Sequence, residues 1–110
     1  MQKKQKIPVL TGRQKKHLRG LGHHLDHFVI VGREGLTDNL ISSCNDAILA
    51  HELIKIKLGQ NCPMGKKEAA EQLAEKTGSR LVQLIGKTVL LYRPNQNRTR
   101  DERIQLPPVK

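Results

Sequence analysis

The stretch "VIVGREGLTDNLI", residues 29–41, decides how this chain folds. Read from His27 as "HFVIV" (27–31), it opens with β-branched and aromatic residues, which are stiff at χ1 and suit a pleated backbone. Four such residues in a row before Gly32 predict a strand buried on both faces. Thr37 is a good helix N-cap. Leu40, Ile41, Cys44, Ala47, Ile48 and His51 then recur three and four positions apart. That period predicts a helix over 38–51 with an apolar stripe packed on a sheet. The segment between them, Gly32-Arg33-Glu34-Gly35, is either a plain turn or a loop that lets a ligand come close to the backbone, where neither glycine has a β-carbon in the way.

Working outward, "ELIKIKL" (52–58) alternates. Ile54, Ile56 and Leu58 share one face, while Lys55, Lys57 and Leu53 share the other, so it reads as a half-buried strand with a basic open face. "GQNCPMG" is a loop. "KKEAAEQLAEKT" is a helix with Ala69, Ala70 and Leu73 inward, stopped by Gly78. "RLVQLI" and "TVLLYR" are strands joined by Gly86-Lys87, a two-residue loop with glycine first, as a type II′ hairpin requires. Upstream, Thr11 and Gln14 have capping-box spacing at the start of a short helix ended by Gly20 and Gly22. Leu18 and Leu21 share one face of it with Gln14 and His17. Arg13, Lys15, Lys16 and Arg19 make the other face basic. The order is αβαβαββ, an α/β class fold. Strand–helix–strand crossovers give parallel neighbours and the closing hairpin an antiparallel pair, so a four-stranded mixed sheet with packed helices is expected. Residues 1–9 are expected to be a flexible basic segment and 95–110 an extended or disordered tail, flanking one domain over 10–94.

Charge narrows the function. Twenty Lys and Arg oppose ten Asp and Glu in 110 residues, a formal net charge of +10. Residues 1–22 carry Lys3, Lys4, Lys6, Arg13, Lys15, Lys16 and Arg19 with no acidic residue. A field of one sign favours a polyanion, and nucleic acid fits it best. One Phe and one Tyr are too few for recognition that stacks bases on several aromatic rings. No apolar run approaches a membrane span, and the N-terminus has no signal-peptide core. Cys44 and Cys62 make no disulfide framework, and a cytoplasmic location is expected.

Enzyme motifs fail on inspection. "GKT" (86–88) would need glycine at position 81 and a helix after it, but Leu81 and a strand are there instead. "HELIK" (51–55) begins like a zinc-protease helix, yet Lys55 stands where the second histidine belongs. His17, His23, His24, His27 and His51 lack companions at fixed ligand spacing, so no metal and no cofactor is expected. A metal-dependent nuclease using this histidine cluster is the rival from the enzyme class.

A GxxG loop between a strand and a helix lets phosphate reach backbone amides and the positive end of the helix, as KH modules do. "LTGRQKKHLRGLGHHL", "VIVGREGLT", "HELIKIKL" and "VQLIGKTVLLYR", in this order over residues 10–94, resemble the CRM domain (chloroplast RNA splicing and ribosome maturation), in its free-standing YhbY-like bacterial form. The resemblance implies a fold similar to the C-terminal domain of translation initiation factor 3, with a KH-like GxxG loop on RNA. It also implies association with precursors of the large ribosomal subunit; a monomer without catalytic chemistry is expected. Gly32, Arg33, Glu34 and Gly35 are then the candidate grip, with Lys15, Lys16, Arg19, Lys55 and Lys57 adding electrostatic contact. Glu34 departs from the cationic or small polar residues usual in such a loop. A general KH-like RNA chaperone with no tie to the ribosome is the other alternative.

Overall fold

In a computed structural model, residues 9–26, 28–95, 97–99 and 101–107 are described. Most of the basic N-terminal segment (1–8), His27 and residues 108–110 lie outside them. The element order is α1 (Gly12–Gly22), β1 (Val29–Val31), α2 (Asp38–His51), β2 (Leu53–Leu58), α3 (Lys66–Thr77), β3 (Arg80–Ile85) and β4 (Thr88–Tyr92).

The strands form one mixed sheet in the order β1-β2-β4-β3. β1 pairs with β2 in parallel, and β4 is antiparallel to both β2 and β3. The first crossover therefore joins parallel neighbours as expected. The second does not, because β4 inserts between β2 and β3. β4 is the most continuously apolar strand, with Val89, Leu90, Leu91 and Tyr92 all buried, so both its faces need cover and it takes a central position. Its hairpin turn has Gly86 at φ +56°, and Lys87 does not share a positive φ, which fits the type II′ geometry.

α2 and α3 cover one face of the sheet. Cys44, Ala47 and Ile48 of α2 and Ala69, Ala70 and Leu73 of α3 pack on Ile54, Ile56, Val89 and Leu91. α1 covers part of the other face, where Leu10 and Leu18 meet Leu53, Val82, Leu90 and Tyr92. Each fully buried Leu, Ile or Val among them contributes roughly 1.5–3 kcal/mol. α1 starts with the full capping box: Thr11 Oγ1 accepts from Gln14 N at 3.1 Å, and Gln14 Oε1 accepts from Thr11 N at 3.1 Å. It ends at Gly22, with Gly20 in its last turn.

Two strand expectations change. β1 lies at the sheet edge and is not buried on both faces: Val31 is fully buried, but Ile30 is 64% exposed. An apolar run alone cannot show whether a second strand or a helix will flank it. The Lys55 face of β2 is open only at Lys57, because α1 reaches the rest of it. Lys55 is half-buried and its Nζ donates to Gly22 O (3.2 Å) and Leu25 O (3.3 Å), capping the end of α1. A cation suits those carbonyls at the negative end of a helix.

Among the described residues after β4 there is no helix or strand, but the segment is attached. Glu52 is fully buried at φ +65°, and its carboxylate accepts from Asn95 N (2.6 Å) and Ile104 N (2.7 Å), with Arg98 Nη1 at 3.9 Å. Ile104 and Leu106 pack against the α1-side core, and Gln14 Nε2 donates to Pro107 O at 3.0 Å.

Candidate nucleic-acid interface

The loop at residues 32–35 is a tight turn. Gly35 N donates to Gly32 O at 3.0 Å, and neither Arg33 nor Glu34 has a positive φ, which together define a type I turn. Arg33 and Glu34 are both exposed at its tip. Thr37 then caps α2 through Oγ1, which accepts from Leu40 N at 3.1 Å.

The two glycines have different reasons to be glycine. Gly35 is buried at φ +71°, and a β-carbon there would stand 3.2 Å from Pro63 Cγ. The fold itself requires it. Gly32 is exposed, has no positive φ, and a β-carbon there would meet nothing within 4 Å. No torsion or contact inside the described protein asks for glycine at that position.

Topology gathers cations around this turn. β1 and β2 are parallel, so Gly32 and Gly59 leave the sheet at the same end, tied by Gly59 N donating to Val31 O at 2.9 Å. The β3–β4 turn reaches that end too, since Leu58 N donates to Lys87 O at 2.7 Å. Arg33, Lys57 and Lys87 are therefore exposed at one end of the molecule, and Lys66 and Lys67 begin α3 there. α2 and α3 both present their N-terminal, partially positive ends on the same side. Glu34, Asp38 and Glu68 are the opposing acids there.

The other candidates are divided. Lys16 and Arg19 are exposed on α1, and Arg19 shares a cleft with Lys55 between α1 and the β3–β4 hairpin. Lys15 is half-buried and lines a separate groove with Glu71 and Arg80. Lys87, Lys66 and Lys67 were not among the candidates. For Lys66 and Lys67 a signal is available, because lysines in the first turn of a helix run against its dipole.

The reactive residue types are quiet. Burial pushes the Cys44 thiol up to about 11, so it stays protonated near neutrality. Tyr92 is pushed up to about 12, first by burial and then by the neighbouring Glu52 carboxylate. Among the described residues no three His, Cys, Asp or Glu side chains converge as a metal site would need, and no helix is long and apolar enough to cross a membrane.

Known proteins agree with this architecture. "Probable RNA-binding protein YqeI" of Bacillus subtilis is 41% identical over 99 residues, covering 90% of this chain and 100% of that one. An "RNA-binding protein" of Haemophilus influenzae is 36% identical over 101 residues, covering 92% and 98%. The solution structure of Staphylococcus aureus SAV1595, described as a candidate RNA binding protein, superposes with a TM-score of 0.73 at 41% identity, covering 90% of this chain and 100% of that one. The CRS1 / YhbY (CRM) domain matches residues 10–93, nearly all of the folded unit, and the chain belongs to that family.

Proposed function

We propose that this protein binds RNA by its backbone, through the 32–35 turn and the cations around it, and assists assembly of the large ribosomal subunit without catalytic chemistry. The observation that carries the grip is Gly32, whose missing β-carbon serves nothing inside the protein. It sits at the tip of a positively charged end, where a phosphate oxygen could approach the main chain. Gly35 shapes the turn, Arg33 supplies a fork of donors, and Lys57 and Arg19 extend the positive surface. Lys16 adds a further exposed charge. Lys15 and Lys55 contribute mainly through the field, being half-buried. The RNA-binding names of the relatives support the partner class. The ribosomal role rests on the family resemblance.

Fractionating a cell lysate by sedimentation tests this. The protein should travel with large-subunit precursors and return to the top of the gradient when Gly32 is replaced by Asp. A protein that binds RNA in vitro yet stays out of every ribosomal fraction would instead be a general RNA chaperone.

A further inference from the structure

The 32–35 turn borders an open piece of sheet. On the α1 side, register aligns Ile30 with Lys57, Lys57 with Thr88, and Thr88 with Ile85, one residue from each strand in a single row. α1 does not reach this row. Its C-terminal end stops at the row below, where a β-carbon on Gly22 would stand 2.8 Å from Leu90 Cδ2. Ile30 and Ile85 are consequently 64% and 62% exposed, at the two edges of the sheet. With neighbouring strands ~4.8 Å apart, the row spans about 14 Å.

The surroundings are cationic. Lys57 lies within the row, and Lys87 projects from the turn that follows Ile85. Where α1 meets the hairpin, a cleft of about 200 Å³ has Leu90 and Ile85 as an apolar floor and Arg19, His23 and Gln83 around it. Apolar surface framed by one sign of charge suits a ligand with flat, weakly polar faces on an anionic backbone. Gly32 follows directly on from β1, so a backbone held at the turn can lay its bases across this row.

We infer that the Ile30–Lys57–Thr88–Ile85 row, with the adjoining cleft, is a seat for unpaired bases of an RNA strand whose phosphates the 32–35 turn holds. This rests on reading that turn as an RNA grip. Duplex RNA keeps its bases stacked inside and presents phosphates and 2′-hydroxyls, so the isoleucines gain little from it. The row itself offers no stacking ring, so base identity should matter little within it; the half-exposed Phe28 lies outside it, in a cleft with Leu21 and Leu25.

The test compares an unstructured oligouridylate with a blunt RNA duplex by fluorescence anisotropy. Ile30→Ser/Ile85→Ser, both exposed positions, should bind oligouridylate about ten-fold more weakly. It should bind the duplex as before and keep the wild-type salt slope, because no phosphate contact is lost. Gly32→Ala should weaken both ligands. If the double variant keeps its oligouridylate affinity while Gly32→Ala loses it, the base seat is wrong and the grip stands. If the wild type binds neither RNA, both fall together. Concentration-dependent self-association that the double variant abolishes would make the face a contact between copies and overturn the inference. Photo-crosslinking of 4-thiouridine RNA to the wild type gives a reading independent of variant folding. Adducts on peptides carrying Ile30 and Ile85 support the seat, and adducts confined elsewhere refute it.

Discussion

Replacing Gly32 and Gly35 by alanine, one at a time, separates what the fold needs from what a ligand needs. At Gly35 the backbone is at φ +71°, where an L-residue costs ~1–2 kcal/mol. The added methyl also stands 3.2 Å from Pro63 Cγ, a tight contact that the 59–65 loop must yield to relieve. Gly35→Ala should therefore lose about 1–2 kcal/mol or slightly more. At Gly32 there is no positive φ and nothing within 4 Å. The only folding consequence of Gly32→Ala is a less flexible unfolded chain, a change of zero to about +1 kcal/mol in favour of the native state. Urea unfolding followed by far-ultraviolet circular dichroism reads both. With a slope of ~1–3 kcal/mol/M, the Gly35→Ala midpoint should fall by roughly half a molar or more, and Gly32→Ala should match or exceed the wild type. RNA affinity should follow a different order. Gly32→Ala should weaken binding about ten-fold, or ~1.4 kcal/mol, despite its intact stability. A Gly35→Ala midpoint equal to wild type would refute the torsional reasoning, and undiminished RNA binding by a stable Gly32→Ala would refute close approach.

Arg19→Ala should flatten the plot of log affinity against log salt by roughly 0.7–0.9 per lost phosphate contact, and half-buried Lys15 should flatten it less; equal, unchanged slopes would leave α1 merely solvated. Glu34→Gln should tighten RNA binding without lowering the urea midpoint, because Glu34 is exposed at the turn tip; lost stability with unchanged affinity would place its carboxylate at the α2 N-terminus instead. Glu52→Ala should cost about 3–5 kcal/mol and speed tryptic cleavage after Arg98 and Arg103, since it strips the buried acceptor from Asn95 N, Ile104 N and Arg98. In the folded protein at mildly alkaline pH, iodoacetamide should modify Cys62 and spare Cys44, whose buried thiol becomes a thiolate only near pH 11; equal labelling of both would contradict that burial.

Much of the fold was legible because its signals are local. The bounds of α2 follow from Thr37 and a stripe of apolar residues, those of α1 from the Thr11–Gln14 box, and the hairpin from Gly86. What escaped depends on chain far away. Glu52 reads as an ordinary charge at a helix–strand junction, yet its donors lie 43 and 52 residues downstream. β1 reads as a buried strand because "VIV" carries no information about being at an edge. The alternation of β2 correctly sets Lys55 opposite Ile54 and Ile56, but only the path of α1 turns that lysine from an exposed cation into a cap. Within the candidate site, the glycine spacing was visible from sequence. The difference between Gly32 and Gly35 was not, because it depends on Pro63 and on backbone torsion.

That difference fits a wider pattern at the same end of the molecule. Local propensity, packing and electrostatics normally agree along a folded chain, and functional sites are where they part. α2 follows the rule, opening with Asp38 under the Thr37 cap. α3 opens with Lys66 and Lys67, has Gly65 as N-cap with no side-chain cap bond, and carries only Glu68 as an acid in its first turn. Each misplaced cation costs ~0.3–1 kcal/mol against the helix dipole. Gly32 likewise forgoes the modest stabilisation that alanine would bring to an unstrained position. These small losses occur together at the positive end of the sheet, while the stabilising polar contacts of Glu52 and Lys55 lie elsewhere. A phosphate backbone across that end would offset the repulsion among Arg33, Lys57, Lys66, Lys67 and Lys87, and would occupy the space beside Gly32 that the protein leaves empty.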